Sequence, residues 1–367
     1  MNHIYINSIK QISAQQPLVE DWFEYPMLYS EPYVRSIEPD YKQYFTPNEA
    51  RRLGKILKRA LLVSRQAMTE SGVAMPGAII TGTGSGCIES TEIFLDKLVR
   101  DGEEFLNPTH FMQSTHNTIG SLIAIDTKCH AYNNTYSHKG ISFECALQDA
   151  FMQLISRAAM HCGSTALVGA HDEMTPAYYN MLKKTGYLDF GQSDRRCETN
   201  KGEMNLKSQI SNLKSQIFAG ETAVAMMLST AKTEKTWCEI ESVDIRYSIC
   251  NNQISDIAYR ISEIATPDYI MTGINGNPEN DKIYIENCAK LFPNVPLLQY
   301  KNIFGESYTA PALGVYAAAA CLKKRKIPKY LKITNYKLQI TNEIPRKILC
   351  YNHFENKNHT FILLNQT

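Results

Sequence analysis

Residues able to do chemistry gather first at Ile141-Ser142-Phe143-Glu144-Cys145-Ala146, immediately ahead of an amphipathic stretch. A residue at the start of a helix sits at the positive end of its dipole, where a thiolate or a carboxylate is favoured. Glu144 and Cys145 are therefore both candidates for covalent or acid–base chemistry. His116 and His138 could act as bases, but neither has a partner visible in the sequence. A plainer role for Cys145 is a small buried residue on the first helical turn. A second candidate is the loop Gly82-Thr83-Gly84-Ser85-Gly86. It invites a dinucleotide-binding reading, but that fingerprint needs Gly-x-Gly-x-x-Gly and position 87 is Cys. A tight strand-to-helix turn accounts for the glycines without a ligand.

These residues need a scaffold, and the hydrophobic pattern supplies one. Gly77 to Thr81, Thr165 to Ala170 and Ala223 to Leu228 are short apolar runs, as expected of strands buried on both faces. Ala146, Leu147, Ala150, Phe151, Leu154 and Ile155 recur at helical spacing, with Gln148, Asp149 and Gln153 on the other side. Ala310 to Leu322 is a second helix, alanine-rich enough to pack closely in a core. Strands alternating with helices give an α/β class. A tandem heptad spans residues 205–218 and has an echo at 332–342. Two heptads are too few for a coiled coil, so this stretch reads as a surface loop or short helix without assigned function.

Composition narrows the class. The chain has 367 residues, 44% of them hydrophobic, enough for two domains or one large compound unit. With 38 basic and 37 acidic residues, its net charge of +1 argues against an electrostatically driven nucleic-acid binder. No run approaches the ~18 apolar residues of a membrane span, and the first residues lack a secretion-signal pattern. The ten cysteines are scattered without a Cys-x-x-Cys pair, which fits free thiols in a reducing cytosol better than disulfides or zinc. A cytoplasmic protein with no metal and no cofactor is expected.

The elbow at 142–146 resembles that of the β-ketoacyl synthases, condensing enzymes of the thiolase fold. Their elbow reads Thr-Ala-Cys-x-Ser/Gly, with an alanine six residues beyond the cysteine and a later strand ending in Val-Gly-Gly. Setting Glu144 at the cysteine makes Ser142 the threonine, Ala150 the alanine and Val168-Gly169-Ala170 the strand end, without a gap. Ala78 to Gly86 falls on the family's early Val-Gly-Thr-Gly strand and turn, and Asn107 to Gly120 on a segment near its dimer interface. Gly273 to Asp281 resembles the His-Gly-Thr-x-Thr-Pro-x-x-Asp stretch, keeping Pro278 and Asp281 but placing Gly273 where the first histidine belongs. Lys301-Asn302-Ile303-Phe304-Gly305-Glu306 resembles Lys-Ser-x-x-Gly-His, keeping Lys301 and Gly305 and putting Glu306 at the second histidine. Asn352 to Asn358 occupies the place of the Asn-Ser-Phe-Gly-Phe-Gly-Gly gating loop, with the glycines gone.

The resemblance implies a thiolase-like fold, two pseudo-duplicated α/β halves in five layers, with residues 1–235 and 236–367 as the halves of one compound unit. It also implies lost condensation activity. A condensing enzyme needs a thiolate to carry the acyl chain and imidazoles to assist decarboxylation and stabilise the enolate. An acyl-Glu144 anhydride would be labile, Gly273 offers no donor, and Glu306 adds a negative charge. Such chains resemble the chain-length factors, which pair with an active ketosynthase and shape the acyl tunnel across the interface. Phe111, Met112, Thr115, His116 and Asn117 would then line that tunnel or interface, in a version similar to that of bacterial aryl-polyene and flexirubin pathways. The implied partners are an active ketosynthase and an acyl carrier protein bearing the chain on phosphopantetheine. Two alternatives stay open: an active divergent acyltransferase using Cys145 or Glu144, and a homodimeric acyl-thioester-binding protein.

Overall fold

The three apolar runs are strands, buried along nearly their whole length because helices cover both faces. A computed structural model describes residues 3–104, 106–159, 165–188, 217–247, 266–333 and 344–367. Residues 205–216 of the tandem heptad and 334–342 of its echo lie outside the described residues. The strands are β1 (Ile4–Ile12), β2 (Ala78–Gly82), β3 (Tyr132–Tyr136), β4 (Thr165–Asp172), β5 (Thr222–Ser229), β6 (Cys238–Tyr247), β7 (Tyr269–Thr272), β8 (Leu297–Gln299), β9 (Lys347–Phe354) and β10 (Asn358–Asn365). The helices are α1 (Pro47–Arg52), α2 (Lys55–Ser71), α3 (Ile88–Asp101), α4 (Pro108–Ser114), α5 (Thr118–Thr127), α6 (Ser142–Ala159), α7 (Pro176–Lys184), α8 (Pro278–Leu291), α9 (Lys301–Phe304) and α10 (Pro311–Lys324).

Hydrogen bonding links the strands in the order β3-β2-β4-β5-β1-β6-β10-β9-β7-β8. The second five repeat the first. In each set the third strand pairs parallel with the second and the second parallel with the fourth; the fourth pairs antiparallel with the fifth, and the fifth antiparallel with the first. The two first strands, β1 and β6, join the sets through a short antiparallel ladder.

Strand periodicity divides the core. Ile80, Val168, Met226, Met271, Ile348 and Ile362 face one cluster shared with Phe143 and Leu147 of α6 and with Leu313 and Ala317 of α10. Their alternates Ile79, Leu167 and Met227 pack on α2, and Ile270, Leu349 and Leu363 pack on α8. The layers are therefore helix, half-sheet, paired α6 and α10, half-sheet, helix. Every residue from Pro311 to Leu322 is buried, and the run Ala317 to Ala320 lets α10 lie close between two sheets.

Helix α6 begins at Ser142, four residues before the apolar spacing starts, so Glu144 lies inside the first turn rather than ahead of the helix. Ser142 is the reason: its Oγ accepts from the His138 amide at 2.8 Å and donates to the Lys139 carbonyl at 2.8 Å, closing the preceding turn. The stretch Asn352 to Asn358 is a hairpin joining β9 to β10, turned by Glu355 and Asn356 at φ of 53° and 51°.

Candidate functional site

The glycine loop after β2 is already occupied by the protein itself. The Asp172 carboxylate accepts from Thr83 Oγ1 at 3.1 Å and from the Gly84 and Ser85 amides at 2.9 and 3.0 Å. An anion cradle filled by an internal carboxylate has no room for a phosphate.

Glu144 is fully buried. Its Oε1 accepts from Asn352 Nδ2 at 2.7 Å and Thr360 Oγ1 at 3.1 Å, while Oε2 is enclosed without a partner. Burial pushes its pKa up to about 7, against the opposing effect of these donors. The Asn352 amide also donates to the Gly140 carbonyl at 3.0 Å, and its Oδ1 accepts from the Tyr284 hydroxyl at 2.8 Å. A relay Tyr284–Asn352–Glu144 therefore runs from α8 through β9 to α6.

Gly273 belongs to the same place. A Cβ there would meet the Tyr284 hydroxyl at 2.3 Å and Asn352 Oδ1 at 2.8 Å. The space a side chain at 273 would use is filled by Tyr284. Local sequence aims α8 at this point: Asn277 caps it, accepting from the Glu279 and Asn280 amides, with Pro278 at the first helical position. Asp281 accepts from the Asn275 and Gly276 amides at 2.9 and 3.0 Å, and its burial raises its pKa to about 7.

Lys301 and Glu306 form a buried ion pair at 2.7 Å, and Asn275 Nδ2 donates to the same Glu306 oxygen at 2.9 Å. Gly305 makes this geometry possible. Its φ is +82°, and a Cβ would meet the Phe218 ring at 2.6 Å and Gly220 Cα at 2.9 Å.

A cavity of about 770 Å³ opens beside these groups; Lys301, Glu306, Asn352, His353, Tyr187 and Tyr308 are among its walls. His353 is neutral: burial lowers its pKa to about 3, and Nε2 donates to the Asn280 carbonyl at 3.1 Å. Glu144, Gly273 and Cys145 do not line the cavity. Cys145 is half-buried, and burial with the nearby Glu144 holds its thiol up at about 11. Phe111, Met112, Thr115, His116 and Asn117 are exposed on and after α4, away from the cavity walls. The geometry thus brings Lys301 and Glu306 together on the cavity and links Glu144 to it only through Asn352.

The sequence model of the β-ketoacyl synthase N-terminal domain matches residues 37–243. The chain belongs to the β-ketoacyl synthase family. No curated protein sequence matches it. Among solved structures, the ishigamide ketosynthase/chain length factor is similar over 100% of this chain and 99% of that one, with 14% identity and a TM-score of 0.77. A ketosynthase in complex with its chain length factor from Xenorhabdus doucetiae is similar over 100% and 98%, with 14% identity and a TM-score of 0.73. A type II polyketide acyl carrier protein in complex with its hexaketide-bound ketosynthase is similar over 100% and 99%, with 11% identity and a TM-score of 0.73. These likenesses establish the thiolase-like ketosynthase fold over the whole chain.

Within this β-ketoacyl synthase homologue, Tyr284 is a site residue that motif reading misses, and His353 one that it includes in the Asn352–Asn358 stretch without assigning a role. Tyr284 lies three residues beyond Asp281, outside any motif, and only the packing of α8 brings it to Gly273. His353 stands beside Asn352 in the hairpin segment, where strand β9 buries it against the Tyr284 ring at a centroid distance of 4.3 Å. No helix among the described residues is long and apolar enough to cross a membrane.

Proposed function

We propose that this chain is a catalytically silent, chain-length-factor-like subunit. It pairs in the cytoplasm with an active ketosynthase and shapes the polyene chain that the partner elongates on an acyl carrier protein, in a pathway of the aryl-polyene or flexirubin type. The observation that carries this reading is the closure of the nucleophile position. Glu144 stands where the resemblance puts the cysteine, and it is sealed from the cavity and bound by Asn352 and Thr360. Gly273 and Glu306 stand where the two histidines would be, one position filled by Tyr284 and the other neutralised by Lys301. No thiolate and no basic imidazole faces the cavity among the described residues.

Surface features favour a partner. Among the described residues strand β3 ends the sheet with one edge unpaired, and an open edge is a template for another chain. Next in the chain to the β2–β3 pair, α3 buries only Ser90, and Val99, Phe111 and Met112 of α3 and α4 are exposed. Two of the similar structures pair a ketosynthase with a chain length factor. On this reading residues 1–235 and 236–367 act as halves of one unit.

The 770 Å³ cavity also favours a second reading, a homodimer that holds acyl thioesters without reacting. The test is co-expression with an intact ketosynthase, then mass analysis after incubation with acyl carrier protein and a malonyl donor. Acylation of the partner alone, with elongation only by the pair, is expected. Acylation of this chain at Cys145 or Glu144 would overturn the proposal, and a homodimer that ignores the ketosynthase would favour the second reading.

A further inference from the structure

From the last turn of α10 the chain runs Lys323-Lys324-Arg325-Lys326-Ile327-Pro328-Lys329-Tyr330-Leu331-Lys332, six cations in ten residues of a protein whose net charge is +1. The acids in contact are already used. Glu20 takes Lys323 at 3.1 Å and Lys324 at 3.4 Å, and Glu24 takes Lys326 at 3.0 Å. The side chains of Arg325, Lys329 and Lys332 have no ion pair or hydrogen bond with any described residue. A helix dipole explains Lys323 and Lys324, which lie in the last turn. It does not explain Lys329 and Lys332, which lie beyond the helix.

These three cations line one cleft of about 520 Å³ with Pro328 and Tyr330, and its one carboxylate, Glu24, is paired with Lys326 there, so the cleft keeps a net charge of +3 among the described residues. The cleft is rigid on that side, because the single Tyr330 hydroxyl proton is shared between the Trp22 and Phe23 carbonyls, at 2.6 and 2.5 Å. Three positive charges with no acidic partner among the described residues surround one concavity and repel one another, and a multiply charged anion relieves that repulsion. Its volume falls within the range of small-molecule sites, about 300–1,000 Å³, and its apolar wall adds a surface for a flat body.

We infer that this cleft binds a phosphate ester of mononucleotide size, its phosphates held by Arg325, Lys329 and Lys332 and its body laid against Pro328 and Tyr330. The cleft is separate from the cavity beside Lys301: the two have no lining residue in common.

Calorimetric titration of the full chain with ADP, coenzyme A, adenosine and inorganic phosphate tests this. ADP or coenzyme A binds saturably and more weakly as salt rises, and adenosine does not bind. Tighter binding of ADP identifies a free nucleotide as the source of the phosphate ester; tighter binding of coenzyme A identifies a pantetheine-bearing one. The triple variant Arg325→Ala/Lys329→Ala/Lys332→Ala removes only side chains without a partner among the described residues. It keeps the wild-type unfolding midpoint and binds at least about tenfold more weakly, while Lys183→Ala/Lys184→Ala binds as wild type. Three results would overturn the inference: no binding by either ester at millimolar concentration, inorganic phosphate binding as tightly as the esters, or unchanged affinity in the triple variant.

Discussion

Replacing Glu144 by Gln should make the protein more stable at alkaline pH than the wild type. Glu144 ionises at about 7 in the folded protein against an ordinary value of 4.5, because its burial disfavours the charge. A carboxyl whose folded value is raised is held best when protonated, so its contribution is fully present below pH 4.5 and is lost as pH rises through 7. With both values in the two-state linkage expression, the loss is roughly 1 kcal/mol at pH 5 and roughly 3 kcal/mol at pH 8, a difference of about 2 kcal/mol. In Glu144→Gln the side-chain Oε1 stays available to Asn352 and Thr360, and the new amide nitrogen takes the enclosed place of Oε2, which lacks a partner in the wild type as well. The raised groups Asp172, Glu173 and Asp281 remain in both proteins, so they cancel in the difference. Urea unfolding of both proteins at pH 5 and pH 8 measures it. The variant should gain about 2 kcal/mol on the wild type between the two pH values. A difference that stays flat within about 0.5 kcal/mol would mean Glu144 is already ionised at pH 5, and the argument from its burial would fail.

Three further outcomes are expected. Lys301→Met strands the Glu306 carboxylate and should cost about 3–5 kcal/mol in urea unfolding, whereas Lys301→Met with Glu306→Gln should recover most of it because Asn275 keeps its acceptor. Gly273→Ala drives a methyl into the Tyr284 hydroxyl and should cost about 1–3 kcal/mol; in a Tyr284→Phe background the cost should shrink, giving a coupling above about 0.5 kcal/mol in a double-mutant cycle. Cys145, with its thiol raised from 9.0 to about 11, should be alkylated by iodoacetamide at pH 7.5 roughly 100-fold more slowly than a free thiol, and peptide mass mapping that finds it modified at the free-thiol rate would contradict the burial argument.

The layers of this fold are legible in the sequence wherever burial is two-sided. β2, β4 and β5 read as apolar runs because helices cover both faces, and α10 announces itself through alanines that only a close-packed position requires. Strand β1 is harder to read, since Asn7, Ser8 and Gln11 are buried in it. Their burial is tolerated because Asn7 donates to the Ala231 carbonyl, Ser8 to that of Ala67 and Gln11 to that of Gln16, partners invisible until the chain is folded. The site is half legible for the same reason. Glu144, Gly273 and Glu306 stand out as departures from motifs, but what makes Gly273 necessary is a tyrosine hydroxyl eleven residues along, brought there by α8. The helix start is displaced too: apolar spacing begins at Ala146, while the turn closed by Ser142 sets the helix.

Why these polar groups are buried together follows from where they lie. Glu144 is on α6 of the first half, and both of its donors, Asn352 and Thr360, are on strands of the second. Asn352 also donates to Gly140 in the first half and accepts from Tyr284 in the second. Apolar packing holds the halves together but sets their register less sharply, because contacts between leucines and alanines are non-directional. A buried hydrogen bond is directional: moving Asn352 by an ångström strands two donors and an acceptor in a medium that cannot replace them. The groups at the family's motif positions are thus the groups that fix one half on the other. Deleting Asn352 as Asn352→Leu should therefore loosen the junction of both halves, speeding hydrogen exchange in α6 and β10 together while leaving α2, on the far side of the first half-sheet, at its wild-type rate.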